Sequence, residues 1–139
     1  MATDHCIPPV QPRILIVDDY VDALPAWEIF LSAEQFEVLT ATNGPDALAL
    51  ATRDVPDLVV LDLVLPGLSG WEVASAIRAR PETSHIPLVA STGYSDTAHL
   101  DRARQAGFDA ILVKPCDPLV LVATIRELLA SARGPRSST

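Results

Sequence analysis

The chain has 139 residues, the size of one domain, and a formal net charge of -8. Its 49% hydrophobic residues can build a core covered on both faces of a sheet, while its acidity disfavours sequence-independent binding to nucleic acid or anionic lipid. No apolar run approaches the ~20 residues that span a bilayer, residues 1–12 lack the pattern of a secretory signal so that a cytoplasmic setting is expected, and the two cysteines, Cys6 and Cys116, suggest neither a disulfide framework nor a zinc site.

Residues 1–12 are polar and rich in proline and read as a flexible N-terminal segment. The first strand is Ile14-Leu15-Ile16-Val17, apolar at every position. A helix follows over about 21–34, with Pro25 acceptable only in its first turn. Phe36 to Thr40 is more mixed and suits an edge strand. Asn43-Gly44-Pro45 opens a second helix, a polar cap followed by proline. Leu58-Val59-Val60-Leu61 is the next strand. A third helix is expected over about Gly70 to Arg78, with Val73, Ala74 and Ile77 on one face. Ile86 to Ala90 and Ala110 to Val113 are strands, separated by a helix over about 95–106 that stops at Gly107. The last helix opens at Asp117-Pro118 and runs to about Ala132, leaving 133–139 as a flexible tail. Runs apolar at every position suit strands buried on both faces. The β-α order, repeated five times, predicts an α/β fold with a doubly wound parallel sheet.

The polar residues that end these strands carry the chemistry. The first strand ends in Asp18-Asp19, the third in Asp62, the fourth in Ser91-Thr92 and the fifth in Lys114. Taken singly, each is an ordinary turn, cap or surface residue. In a parallel sheet, however, all these ends point the same way, and ligands gather at that rim. Three carboxylates meeting there disfavour one another unless a cation joins them. An oxygen-only set favours magnesium or a similar hard ion. One carboxylate left partly free could serve as a nucleophile.

The segments Ile14 to Asp19, Leu61 to Gly70, Ser91-Thr92-Gly93-Tyr94 and Leu112-Val113-Lys114-Pro115 come in an order and spacing that resembles a two-component response-regulator receiver domain. The resemblance spans about residues 13–131, and the receiver is assigned to 13–132. It implies a flavodoxin-like (βα)5 fold with strand order 2-1-3-4-5. It implies that Asp62 accepts a phosphoryl group and that Thr92 and Lys114 bind its oxygens. It implies a metal set of Asp18, Asp19, Asp62 and the backbone carbonyl of Val64, holding Mg2+ or Mn2+, and a cis bond between Lys114 and Pro115. The donor would be a sensor histidine kinase or a histidine phosphotransfer protein, because His5, His85 and His99 read as surface or loop residues. Catalysis would be limited to the chain's own phosphorylation and dephosphorylation.

The chain departs from the family pattern in two places. Ile111 stands where many members carry Tyr or Phe, which puts an aromatic form of the switch in doubt; Leu65 replaces a frequent methionine with little change of volume. Val64 and Tyr94 border the path of hydrolytic water in the family, and their bulk and apolarity predict a long-lived phosphoryl group. Cys116 reads as a small residue beside a helix cap in preference to a redox-sensitive thiol, and Trp27 and Trp71 as packing residues. Leu119 to Val122 are four consecutive apolar residues, which cannot all face the sheet. At least one should be exposed and could dock a downstream protein or a second copy. Two other readings are a receiver-like interaction domain that is never phosphorylated and a haloacid-dehalogenase-type phosphohydrolase. The second needs another Asp two residues after the nucleophile, where this chain has Val64.

Overall fold

The computed structural model describes residues 11–93 and 96–137, with side chains described up to Ser131. His5, Cys6, Tyr94 and nearly all of the N-terminal segment lie outside the described residues. The strands are β1 (Arg13–Val17), β2 (Glu37–Ala41), β3 (Leu58–Asp62), β4 (Leu88–Thr92) and β5 (Ala110–Val113). They form one parallel sheet in the order β2-β1-β3-β4-β5. The helices are α1 (Leu24–Ala33), α2 (Gly44–Asp54), α3 (Gly70–Ala79), α4 (Thr97–Ala106) and α5 (Pro118–Ser137). Among the described residues, no helix is long and apolar enough to cross a membrane.

Successive strand residues point to opposite faces, so each fully apolar strand feeds two cores. Ile14, Ile16, Leu58, Val60 and Val89 face the side of α1 and α5, where Leu24, Leu31, Leu121, Ile125 and Leu129 meet them. Leu15, Val17, Val59, Leu61, Leu88 and Ala90 face the other side, against residues of α2, α3 and α4 such as Ala47, Ile77 and Ala103. Helix ends at Asn43 and Gly107 follow the sequence signals, and a capping box that was not expected opens α3. Asn43 accepts from the backbone N–H of Asp46 at 2.8 Å, Ser69 and Glu72 form a capping box, and Gly107 ends α4 at φ 103°.

Several boundaries differ from expectation: β4, for one, is Leu88–Thr92, two residues later than the expected Ile86 to Ala90, with Ile86 and Pro87 leading into it. Phe36 precedes β2 instead of opening it: Gln35 has φ 74°, and the Phe36 N–H donates to the Leu31 carbonyl at 3.1 Å, closing α1. A 3-10 turn at Val21–Ala23 precedes α1, which places Pro25 in the first turn of the helix. The backbone of α5 continues through Ser137, past the expected end at Ala132 and through most of the segment read as a tail. Once nucleated, a helix gains a bond per added residue. In α5, Leu119 and Val120 are exposed at 67% and 48%, while Leu121 and Val122 are buried in the core.

The two ends of the sheet are held differently. At the amino end of β4 and β5, the Arg78 guanidinium donates to the carbonyls of Ser84, Ile86 and Gly107 and to the Asp109 carboxylate. At the carboxyl end, Gly70 lies against the backbone after β3. Its N–H donates to the Leu63 carbonyl at 2.9 Å, and a Cβ there would come within 2.4 Å of the Asp62 carbonyl oxygen.

Two stability predictions follow from this backbone. Gly70→Ala forces Cβ into main-chain atoms that cannot swing away, and should lower unfolding stability by about 1–3 kcal/mol in urea. Gly93→Ala, with nothing within 4 Å of the new carbon, is the matched control and should change little. Val55, a β-branched residue held at φ 43° at the end of α2, should gain from Val55→Gly. The midpoint should rise by the equivalent of about 0.5–1 kcal/mol.

Candidate functional site

β1 ends at Val17, and the Asp18 N–H then donates to the Ala41 carbonyl at 3.1 Å, extending the pairing with β2 by one step. One Asp18 oxygen accepts from the Tyr20 N–H at 2.9 Å, which turns the chain away from the sheet and leaves Asp19 exposed at the rim. Asp62 ends β3 in register with Ser91 of β4, and its Oδ1 accepts from the Val64 N–H at 3.1 Å. Thr92 ends β4 in register with Val113, and its carbonyl accepts from the Lys114 N–H at 2.7 Å. The Lys114–Pro115 bond is cis, as the resemblance implied.

These strand ends converge. Asp18, Asp19 and Asp62 each offer a carboxylate oxygen within 4.8 Å of the others. The Lys114 ammonium reaches in from β5 to 2.8 Å from Asp62 Oδ2 and 3.5 Å from Asp18 Oδ2. Asp62 is 7% exposed and Thr92 1%, so the acidic group is seated in the rim. Partial burial pulls the Lys114 pKa down. The hydrogen bond and charge of Asp62, with the charge of Asp18, outweigh it and leave the pKa above its ordinary value. Lys114 therefore stays a cation throughout the neutral range.

The donor set suits a divalent cation. All three side chains offer hard oxygen ligands, and three carboxylates against one ammonium leave the cluster net negative. Magnesium ligands sit at about 2.1 Å from the metal and usually include several waters. Oxygens within 4.8 Å of one another need only a small inward shift, or a bridging water, to share such an ion. The Val64 side chain is 51% exposed beside the acceptor turn.

Other residues singled out in the sequence lie apart from the cluster or around it. His85 is exposed beyond α3, and His99 is half-buried in the first turn of α4, bonded to Asp96. Trp71 packs between α3 and α4, with the Arg102 guanidinium 4.3 Å from its ring centre and the His99 ring at 5.9 Å. Ile111 packs into the core on the α2–α4 side. Burial, with the nearby Asp117 charge, pushes the Cys116 thiol pKa up, which favours the packing reading over a reactive thiolate. Sequence reasoning missed Gly70 as a positioning residue. Its only signal was a small residue after the Ser69 cap, which does not reveal close approach to the acceptor's backbone.

The chain matches the response regulator receiver domain family over residues 14–126. It is 40% identical over 119 residues to the Response regulator PleD of Caulobacter vibrioides, covering 86% of this chain and 26% of that protein. In structure it resembles a CheY-like response regulator receiver domain protein of Methanospirillum hungatei, with TM-score 0.83 and 30% identity, covering 91% of this chain and 99% of that one. It also resembles the receiver domain of the sensor histidine kinase PA1611 of Pseudomonas aeruginosa, with TM-score 0.81 and 25% identity, covering 87% of this chain and 99% of that one. That crystal structure has a magnesium ion coordinated in its active-site cleft. The chain spans about a quarter to a half of the length of several curated relatives it matches. By its sequence over residues 14–126 and by its fold, the chain belongs to the family of response regulator receiver domains.

Proposed function

We propose that Asp62 accepts a phosphoryl group from a phosphohistidine on a sensor histidine kinase or histidine phosphotransfer protein, and that the modified chain changes its affinity for a partner. The observation that carries this reading is the Lys114 ammonium 2.8 Å from the Asp62 carboxylate, inside a rim of two further carboxylates. An Asp62 oxygen attacks phosphorus as the phosphorus–nitrogen bond of the donor breaks. The electron pair leaves on the imidazole nitrogen, which takes a proton. In-line transfer needs little from the protein beyond position and charge. Gly70 fixes the backbone behind Asp62, Lys114 moves from carboxylate to phosphoryl oxygen, and the Thr92 hydroxyl donates to another. Asp18, Asp19, Asp62 and the Val64 carbonyl would hold Mg2+ or Mn2+, which when bound neutralises phosphoryl charge.

The proposed setting is the cytoplasm. The exposed Leu119 and Val120 of α5 offer an apolar patch to a downstream protein or a second copy. The net charge of -8 argues against direct contact with nucleic acid or an anionic membrane. Coupling of this patch to Asp62 requires only that phosphorylation favour the docking arrangement by a few kcal/mol. Ile111, expected to transmit it by packing, lies instead in the core on the α2–α4 side of the sheet, opposite the face that α5 covers, so the coupling does not run through direct contact of Ile111 with α5.

Incubated with a small acyl phosphate and Mg2+, the protein should gain one phosphoryl group by intact mass, trapped at Asp62 by borohydride. Asp62→Asn should gain none, chelator should abolish the gain, and Asp19→Asn should slow it by more than about tenfold, the equivalent of ~1.4 kcal/mol in the barrier. An unlabelled parent protein, or equal labelling of Asp62→Asn, would refute the assignment. A second outcome concerns lifetime. The apolar Val64 cannot orient a water, so the label should decay more slowly than in a Val64→Asn, Tyr94→Glu variant. Equal or faster loss from the parent would remove that role for the two positions.

A further inference from the structure

Beside the acidic rim, on the α1–α5 side of the sheet, a cavity of about 430 Å3 opens between the start of α1 and the loop from β5 to α5. That lies in the range of small-molecule sites, about 300–1,000 Å3. Its walls are apolar: Ile16 and Val60 from the sheet, Leu112 from β5, Leu121 from α5 and the Trp27 ring from α1. Cys116 closes one side with a short side chain. Its thiol is held neutral by burial and makes only a long 3.5 Å contact to the Asp117 carbonyl. At one end the cavity reaches Asp18, Lys114 and Ser91.

We infer that this cavity is a binding site for a small molecule with a flat aromatic body and an amine head. The body is set by the walls, which include an indole ring and aliphatic side chains. The head is set by charge. Asp18 Oδ1 accepts the Tyr20 N–H at 2.9 Å, but its Oδ2 has only a loose 3.5 Å pairing with Lys114, which is held at 2.8 Å by Asp62, so Asp18 is the more weakly ion-paired carboxylate at that end. With Asp19 and Asp62 close by, the local field favours a cation or hydrogen-bond donor and repels an anion. An ammonium seated at Asp18 completes its ion pairing, while the ring takes the space that Cys116 leaves empty. The site is separate from the phosphoacceptor but shares Asp18 and Lys114 with its rim. On the reading that Asp62 is phosphorylated, occupancy and phosphorylation are therefore linked, and each alters the other by the same factor at equilibrium.

Three ligands with one ring and different heads test this on metal-free, unphosphorylated protein: 2-phenylethylamine, 2-phenylethanol and 3-phenylpropanoate. Emission of Trp27 is read in a Trp71→Phe background. The amine should bind saturably below about 1 mM, as expected for a fragment of its size, the alcohol more weakly, and the carboxylate at least tenfold more weakly than the amine. Cys116→Phe, which fills the cavity, should abolish binding and raise the unfolding midpoint. Cys116→Leu, a smaller filling, should weaken binding in the same direction, so a folding failure of one variant leaves the test standing. No saturable binding, equal affinity for the three heads, or binding unchanged in both Cys116 variants would each overturn the inference. None of these readouts involves phosphoryl transfer, so their failure is distinct from a failure of the role assigned to Asp62.

Discussion

Everything at the functional rim follows from one constraint: parallel strands must end on the same side. Asp18, Asp62, Thr92 and Lys114 are scattered along the sequence, yet each stands at or next to a strand's last residue. The sheet order places β1, β3, β4 and β5 side by side, so these side chains have no other place to go. The repulsion that this creates among carboxylates is relieved by Lys114, whose ammonium spans Asp62 and Asp18. A buried carboxylate is tolerable only with such a partner. The same ammonium is then in place for chemistry, because the group that compensates Asp62 at rest is also positioned to meet an incoming anion.

The hydrophobic strands were plainly legible in the sequence, because burial on both faces leaves no polar position to confuse the period. Leu58 to Leu61 is buried throughout, and the residue after it could be read as the strand's chemical end. Caps at Asn43 and Gly107 were legible too, since they act through local backbone geometry, whereas the Ser69–Glu72 capping box went unread. The errors fell where tertiary contacts decide. Phe36 has strand propensity, but its ring is buried beside the end of α1 and its N–H closes that helix. The residues of the candidate site were legible as strand ends. Their distances were not, because the approach of Lys114 to Asp62 spans 52 positions of sequence. Gly70's contact with the Asp62 carbonyl and the space beside Cys116 were hidden for the same reason. Both are relations between segments, and no local pattern encodes them.

The two cores divide the labour of the fold. The α2–α4 side carries Ile111 and the capped start of α3 behind the acceptor turn. The α1–α5 side carries the cavity and the exposed residues of α5. Because successive residues of one strand serve opposite faces, a displacement at a strand's end reaches both cores at once. Leu61 and Val60 are neighbours in β3 and pack into different cores, one and two residues before Asp62.

The Arg78 guanidinium gives this arrangement a mechanical asymmetry. Three carbonyls and a carboxylate converge on it at the amino end of β4 and β5, and Asp109 also accepts the Leu88 N–H there. Directional bonds from one planar group, facing several segments, resist both sliding and rotation. At the opposite end, backbone hydrogen bonds fix the strand ends, but the acidic side chains are tied to one another through the charge of Lys114, which depends weakly on angle. The sheet thus behaves as a lever clamped at one edge. A change of charge at the acidic edge then acts first on side chains and on the loops that follow the strand tips, because the clamped edge offers more directional bonds to resist it.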